Sequence, residues 1–181
     1  MALLHSGNSA LVVIDVQERL FPHIDDCEQV LDRCLWLVRL AKRLGVPVLA
    51  SEQNPQGLGP TVAPLATELP KEGLRHKMHF SCVADGCFEG APGWSRHQIV
   101  LCGTEAHICV FQTAVDLMAA GRQVYVVAEA VGSRLPESKA LALSRLRQHG
   151  AEIVNGEMVG FEWLRRAGDD KFREINRQFF R

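Results

Sequence analysis

The chain has 181 residues, 47% apolar and 23% charged, with 20 Lys and Arg against 21 Asp and Glu. That length fits a single domain, 1–181, with a sizeable buried core, and a net charge of −1 gives no bulk electrostatic case for nucleic acid or a membrane surface. Six cysteines, at positions 27, 34, 82, 87, 102 and 109, include no C-x-x-C pair and no zinc-finger spacing, so they read as reduced thiols in a cytoplasmic protein.

The N-terminal apolar run, "ALVVIDV" (10–16), follows no basic segment and is too short to cross a bilayer. Rich in β-branched residues, it predicts a strand buried on both faces. A helix is expected from about Asp26 to Leu44, where Val30, Cys34, Leu37, Val38, Ala41 and Leu44 recur at helical spacing before Gly45 and Pro47. "VPVLAS" predicts a second strand. "EQNPQGLGPTVAP", with three prolines and two glycines, predicts an irregular loop. "LRHKMHFS" predicts a third strand and "ADGCFEGAPGW" a loop or short helix. "QIVLCG" is a fourth strand, "ICVFQTAVDLMAAG" its helix, "QVYVVAE" a fifth strand, "PESKALALSRLRQHG" a helix and "AEIVN" the last strand. From Phe161 onward one or two charged amphipathic helices are expected, keeping Phe172, Ile175, Phe179 and Phe180 for some apolar surface.

Strands alternating with helices predict an α/β fold, a three-layer Rossmann-like sandwich around a mostly parallel six-stranded sheet. Ligands in such folds bind beyond the carboxyl ends of the strands, near a topological switch point. Three residues with chemical capacity fall at strand ends. Asp15 closes the first strand, Lys77 lies in the third, and Cys109 follows the fourth by a short turn and opens a helix. A buried carboxylate needs a partner, and Lys77 can supply it. The first turn of a helix favours thiolate over thiol, in such settings lowering a cysteine pKa to about 3.5–7.5. Thiol, carboxylate and ammonium together form a nucleophile, a proton acceptor and a charge stabiliser. The loops after the strands should wall the pocket, with Gln17, Phe21, Gln53 and Phe80 as candidates and His107 at its rim.

"VVIDVQ" around Asp15, "HKMHFS" around Lys77 and "LCGTEAHICV" around Cys109 resemble the isochorismatase-like cysteine hydrolases, in the same order and over nearly the whole chain. "SEQNPQGLGPTV" and "GTEAHICVFQTAVDLM" carry a closer likeness to isochorismatase domain-containing proteins of unassigned substrate. The resemblance implies Asp15 as base, Lys77 as the cation and Cys109 as nucleophile. It also implies a cis peptide at Thr104–Glu105 and oxyanion donors in the backbone N–H groups of Glu105 and Cys109. Nicotinamidases of that superfamily hold a metal with an Asp-x-His segment after the second strand. Here that loop, "SEQNPQGLG", has neither Asp nor His, so no metal and no cofactor are expected.

The reading that results is a metal-independent cysteine hydrolase cleaving a C–N bond of a small amide through a thioester. Its partners would be a small-molecule substrate and further copies of the chain in a homo-oligomer. A catalytically silent scaffold and a flavodoxin-like binding or regulatory domain are the alternatives.

Overall fold

The computed structural model describes residues 2–180. From the N-terminus its elements are β1 (Ser9–Ile14), α1 (Cys27–Leu44), β2 (Val48–Gln53), the single turns α2 (Pro55–Leu58) and α3 (Ala63–Ala66), and β3 (Leu74–Lys77). There follow α4 (Cys82–Asp85), β4 (Gln98–Thr104), a short wide-turned helix (Ala106–Val110) running into α5 (Phe111–Ala119), and β5 (Gln123–Gly132). α6 (Pro136–His149), β6 (Glu152–Val154), α7 (Gly156–Leu164) and α8 (Asp170–Phe179) complete the chain. The strands form one six-stranded sheet in the order β3-β2-β1-β4-β5-β6, with every neighbouring pair parallel. The expected mostly parallel sheet is therefore wholly parallel.

Alternation along the central strands sorts the core into two layers. Leu11 and Val13 of β1 and Val100 and Cys102 of β4 pack beneath α1, with Val159 and Trp163 of α7 and Ile175 of α8. Ala10, Val12 and Ile14, with Ile99 and Leu101, face α5 and α6 on the other side. Residues two apart on a strand share a face, and both faces are covered, so β1 from Ala10 to Ile14 and β4 from Ile99 to Cys102 are apolar. α1 stops where Gly45 takes a left-handed conformation (φ 72°).

Four stretches differ from expectation. The proline-rich loop closes into α2 and α3, and β3 ends at Lys77 instead of running on to Ser81. β5 continues to Gly132, three residues past Glu129; that carboxylate interrupts the apolar run but accepts the Gly156 N–H at 2.6 Å. The C-terminal helices begin at Gly156, earlier than Phe161, and their apolar face is spent within the chain. Ile175 is buried, and Phe179 and Phe180 pack edge-on against Trp36 with ring centroids 5.8 and 5.5 Å away.

Connections run outward in opposite directions from β1 and β4, which makes the cleft between their carboxyl ends the switch point. The two strands approach closely there. A Cβ at Gly103 (φ 119°) would lie 2.1 Å from the Ile14 carbonyl oxygen, so only glycine fits.

Candidate active site

Asp15, the residue after β1, is buried with a positive φ of 51°. For a side chain other than glycine that backbone region is strained, and its neighbours hold it there. Its N–H donates to the Ser51 carbonyl (3.1 Å), and Thr104 Oγ1 donates to its own carbonyl (2.6 Å). These bonds tie the end of β1 to both adjacent strands. The carboxylate is then fully engaged. Ser51 Oγ donates to Oδ1 at 2.7 Å, and Lys77 Nζ stands 2.7 Å from Oδ2.

Lys77 reaches this position because β3 pairs with β2 in a register that sets it beside Gln53. Gln53 Oε1 accepts a second bond from Nζ at 2.6 Å. Both side chains of the Asp15–Lys77 pair have 0% solvent exposure. Burial works against the ammonium, but the charge and hydrogen bond of Asp15, aided by Cys109, outweigh it and raise the Lys77 pKa above its ordinary value.

Cys109 sits in the first turns of the helix after β4. The ladder of that helix starts when Ile108 N–H and Val110 N–H both donate to the Glu105 carbonyl, at 2.9 and 3.3 Å. The N–H groups of Glu105, Ala106 and His107 therefore precede the ladder, as at any helix start. Burial and then the Asp15 charge push the Cys109 thiol well above the usual cysteine range, with Lys77 pulling the other way. This runs against the expectation of a lowered thiol: burial beside the Asp15 carboxylate favours the protonated sulfur.

Among the described residues no peptide bond is cis, so Thr104–Glu105 is trans, against the expectation. The chain turns instead at Glu105 itself, which takes φ 54° and ψ 65°. Its buried carboxylate pins the turn, with Oε1 accepting from Arg134 Nε at 2.6 Å. Oε2 has no hydrogen bond of its own; His107 Nδ1 lies 3.2 Å away and bonds to Ser133 Oγ at 3.0 Å.

A cavity of roughly 590 Å³ opens over these groups, within the size range of small-molecule sites. Asp15, Gln53, Phe80, Glu105 and Cys109 line it, so two of the five expected pocket residues are in place. The other three do different work. Gln17 is buried and braces the loop after β2, with Nε2 donating to the carbonyls of Gln53 (3.0 Å) and Gly59 (2.7 Å) and Oε1 accepting from Gln53 N–H (2.7 Å). Phe21 packs on the α1 side of the core, and His107 turns toward Ser133 and Glu105 and does not itself line the cavity.

Residues that the sequence reading missed complete the wall: Arg19, Leu20, His23, Leu58, Ile108 and Arg134. Arg134 lies two residues past the end of β5, and Asp15 one past the end of β1. The strand-end rule finds it once β5 is extended to Gly132.

Residues 9–158 match the isochorismatase domain. The chain belongs to the isochorismatase domain family. It is similar to isochorismatase domain-containing protein 2 of Bos taurus, 38% identical over 173 residues that cover 94% of this chain and 82% of that one. A solved structure described as the MAR1 ribonuclease from Caenorhabditis elegans superposes with a TM-score of 0.88 at 30% identity, covering 99% of this chain and 93% of the other. The YcaC gene product from Escherichia coli, described as an octameric hydrolase of unknown specificity, superposes at 0.85 with 22% identity, covering 92% and 84%. This last similarity is one of fold. Membership of the isochorismatase domain family sets aside the flavodoxin-like alternative. Among the described residues of this isochorismatase-domain chain, no group of three or more His, Cys, Asp or Glu side chains converges as metal ligands. No helix is long and apolar enough to cross a membrane.

Proposed function

We propose that this isochorismatase-domain protein is a cysteine hydrolase that cleaves a C–N bond of a small amide without a metal. One observation carries the reading: a cysteine thiol, a buried carboxylate–ammonium pair and the start of a helix meet at one cavity. Asp15 takes the Cys109 proton as sulfur attacks the amide carbon. The N–H groups of Glu105 and Cys109 receive the oxyanion, and Lys77 holds Asp15 in place and in charge. The C–N bond then breaks, the departing amine takes the proton from Asp15, and a thioester remains. Asp15 next deprotonates a water that attacks the thioester. The C–S bond breaks, sulfur recovers the proton, and a carboxylic acid leaves.

A resting thiol suits this sequence, since sulfur gives up its proton only when there is a carbon to attack. The end of β2 supports metal independence, because its polar side chains are already engaged. Ser51 bonds to Asp15, Glu52 to Thr61 and His76, and Gln53 to Lys77. The six free thiols suit a reducing, cytoplasmic compartment.

Ammonia release from a panel of amides, carbamates and nitriles tests the reading. Turnover of at least one, a covalent acyl adduct on Cys109 by mass spectrometry, and indifference to EDTA are expected. Full turnover by Cys109→Ala, or loss with EDTA and recovery with zinc, would sink it. A homo-oligomer is part of the same proposal, supported by Met78, Phe80 and Leu135, which are apolar and exposed. Light scattering that gives a monomer removes that part.

A further inference from the structure

The cavity wall carries more positive charge than its own carboxylates balance. Asp15 is matched by Lys77 at 2.7 Å and Glu105 by Arg134 Nε at 2.6 Å. Arg19 remains as an unmatched cation, and the outer edge of Arg134 and the His23 ring lie on the same cavity. Arg19 faces no carboxylate; its Nη1 donates to the carbonyls of Gly57 (3.0 Å) and Gln56 (3.4 Å), which steer the side chain without neutralising it. Its neighbour Glu18 packs at Gly59 alongside the Arg19 stem, makes no ion pair with Arg19 and does not line the cavity.

Arg134 is the more telling group. Its Nε is spent on Glu105, while its Nη groups donate to no acceptor among the described residues. The side chain is 54% exposed while its carboxylate partner is 6% exposed. A guanidinium fixed through one edge keeps its other edge pre-oriented for a planar anion, and the rotamer entropy of ordering it has already been spent. Leu20, Leu58, Phe80 and Ile108 give the same cavity an apolar share of its wall. A ligand that matches such a wall has a short apolar spacer, a carbonyl at one end and a carboxylate at the other.

We propose that the site selects small amides that also bear a carboxylate, held by the free edge of Arg134 with Arg19 supplying the second positive charge. This inference rests on the cysteine-hydrolase reading and narrows its substrate class. Arg134 and Arg19 are specificity residues in it; the chemistry stays with Asp15, Lys77 and Cys109.

Binding and turnover are measured apart, so that the two readings fail separately. Malonamate, succinamate and glutaramate, each beside its neutral diamide, are titrated calorimetrically into the Cys109→Ala protein, where no thioester forms. At least one carboxylated amide should bind about tenfold or more tighter than its diamide, an advantage of the size expected for a charge-assisted pair. The advantage should shrink as salt is added. Arg134→Lys, which keeps the charge beside Glu105 but loses the fork, should abolish most of it, and Arg19→Gln part of it. Equal affinity for acid and diamide, no binding by any of the three acids, or a preference that survives both substitutions overturns the proposal. So does binding of a mononucleotide in place of every carboxylated amide. Ammonia release by the unsubstituted enzyme judges the parent reading. Charge-selective binding without turnover would remove the amidase and keep the anion site; turnover of neutral amides without charge preference would do the reverse.

Discussion

Two carboxylate–cation pairs stand at the carboxyl end of this sheet, and they differ in where the cation faces. In Asp15–Lys77 both side chains are sealed at 0% exposure and the ammonium's neighbours are a carboxylate, a glutamine oxygen and a thiol. In Glu105–Arg134 the carboxylate is buried and the guanidinium is half in solvent. A sealed pair acts strongly on whatever is sealed in beside it, because little water screens it. A half-open pair is screened and worth less as an ion pair, but it leaves donors facing outward. In the proposed reaction the first pair governs a proton on sulfur, while the second holds a turn and meets the ligand.

Breaking the sealed pair should have the largest effect. Lys77→Met leaves the Asp15 charge buried without a partner, which costs about 3–5 kcal/mol in comparable sites, and turnover should vanish with it. Lys77 is raised in the folded state, so its stabilisation is complete below the unfolded lysine value of about 10.4. It is lost only as pH climbs through the higher folded value. Denaturant melts should therefore show the deficit across the whole neutral range. Adding Asp15→Asn to Lys77→Met removes the orphaned charge as well, and most of the stability should return while activity does not. A double variant as unstable as the single one would mean that the lysine stem matters there and its charge does not.

The next contrast lies between two properties of one sulfur. Asp15→Asn removes the proposed base, and turnover should fall by about 10²–10⁴-fold. The same change removes the charge that, after burial, does most to hold the proton on Cys109. Alkylation by iodoacetamide followed against pH should therefore shift its midpoint downward, even as hydrolysis is lost. A midpoint that stays or moves up would show that Asp15 does not govern the thiol.

Much of this arrangement is legible in the chain, and the reasons differ by element. β1 and β4 are read directly because strands buried on both faces must be apolar, and Asp15 stands out as the one charge at the end of such a run. Cys109 is separated from Cys102 by position alone: one follows the strand, and the other is packed within it, fully buried. Lys77 is visible as a strand-end cation, but its partner is set by the register of β3 on β2, which local sequence does not encode. Arg134 is hidden because Glu129 disguises the true end of β5. Gln17 and His107 read as pocket residues from their place in the chain, whereas their side chains close hydrogen bonds that depend on loop geometry. The balance at the thiol also runs against expectation. A helix start argues for thiolate, but burial beside a carboxylate argues more strongly against it.

The smallest expected effect comes from the half-open pair and sharpens the comparison most. Glu105→Gln keeps the length of the side chain and an oxygen for Arg134 Nε but removes the negative charge. Because the guanidinium is so exposed, the stability lost should be no more than about 1 kcal/mol, the range of screened pairs. The Glu105 backbone, with its positive φ, is also held by the hydrogen bonds that begin the helix, so kcat should fall only modestly. KM for a carboxylated amide should rise more, since the fork of Arg134 is no longer fixed. A collapse of kcat with KM unchanged would instead place the Glu105 carboxylate in control of the oxyanion turn. The two pairs would then be two supports of one reaction, and the division between a sealed pair for chemistry and an open one for recognition would fail.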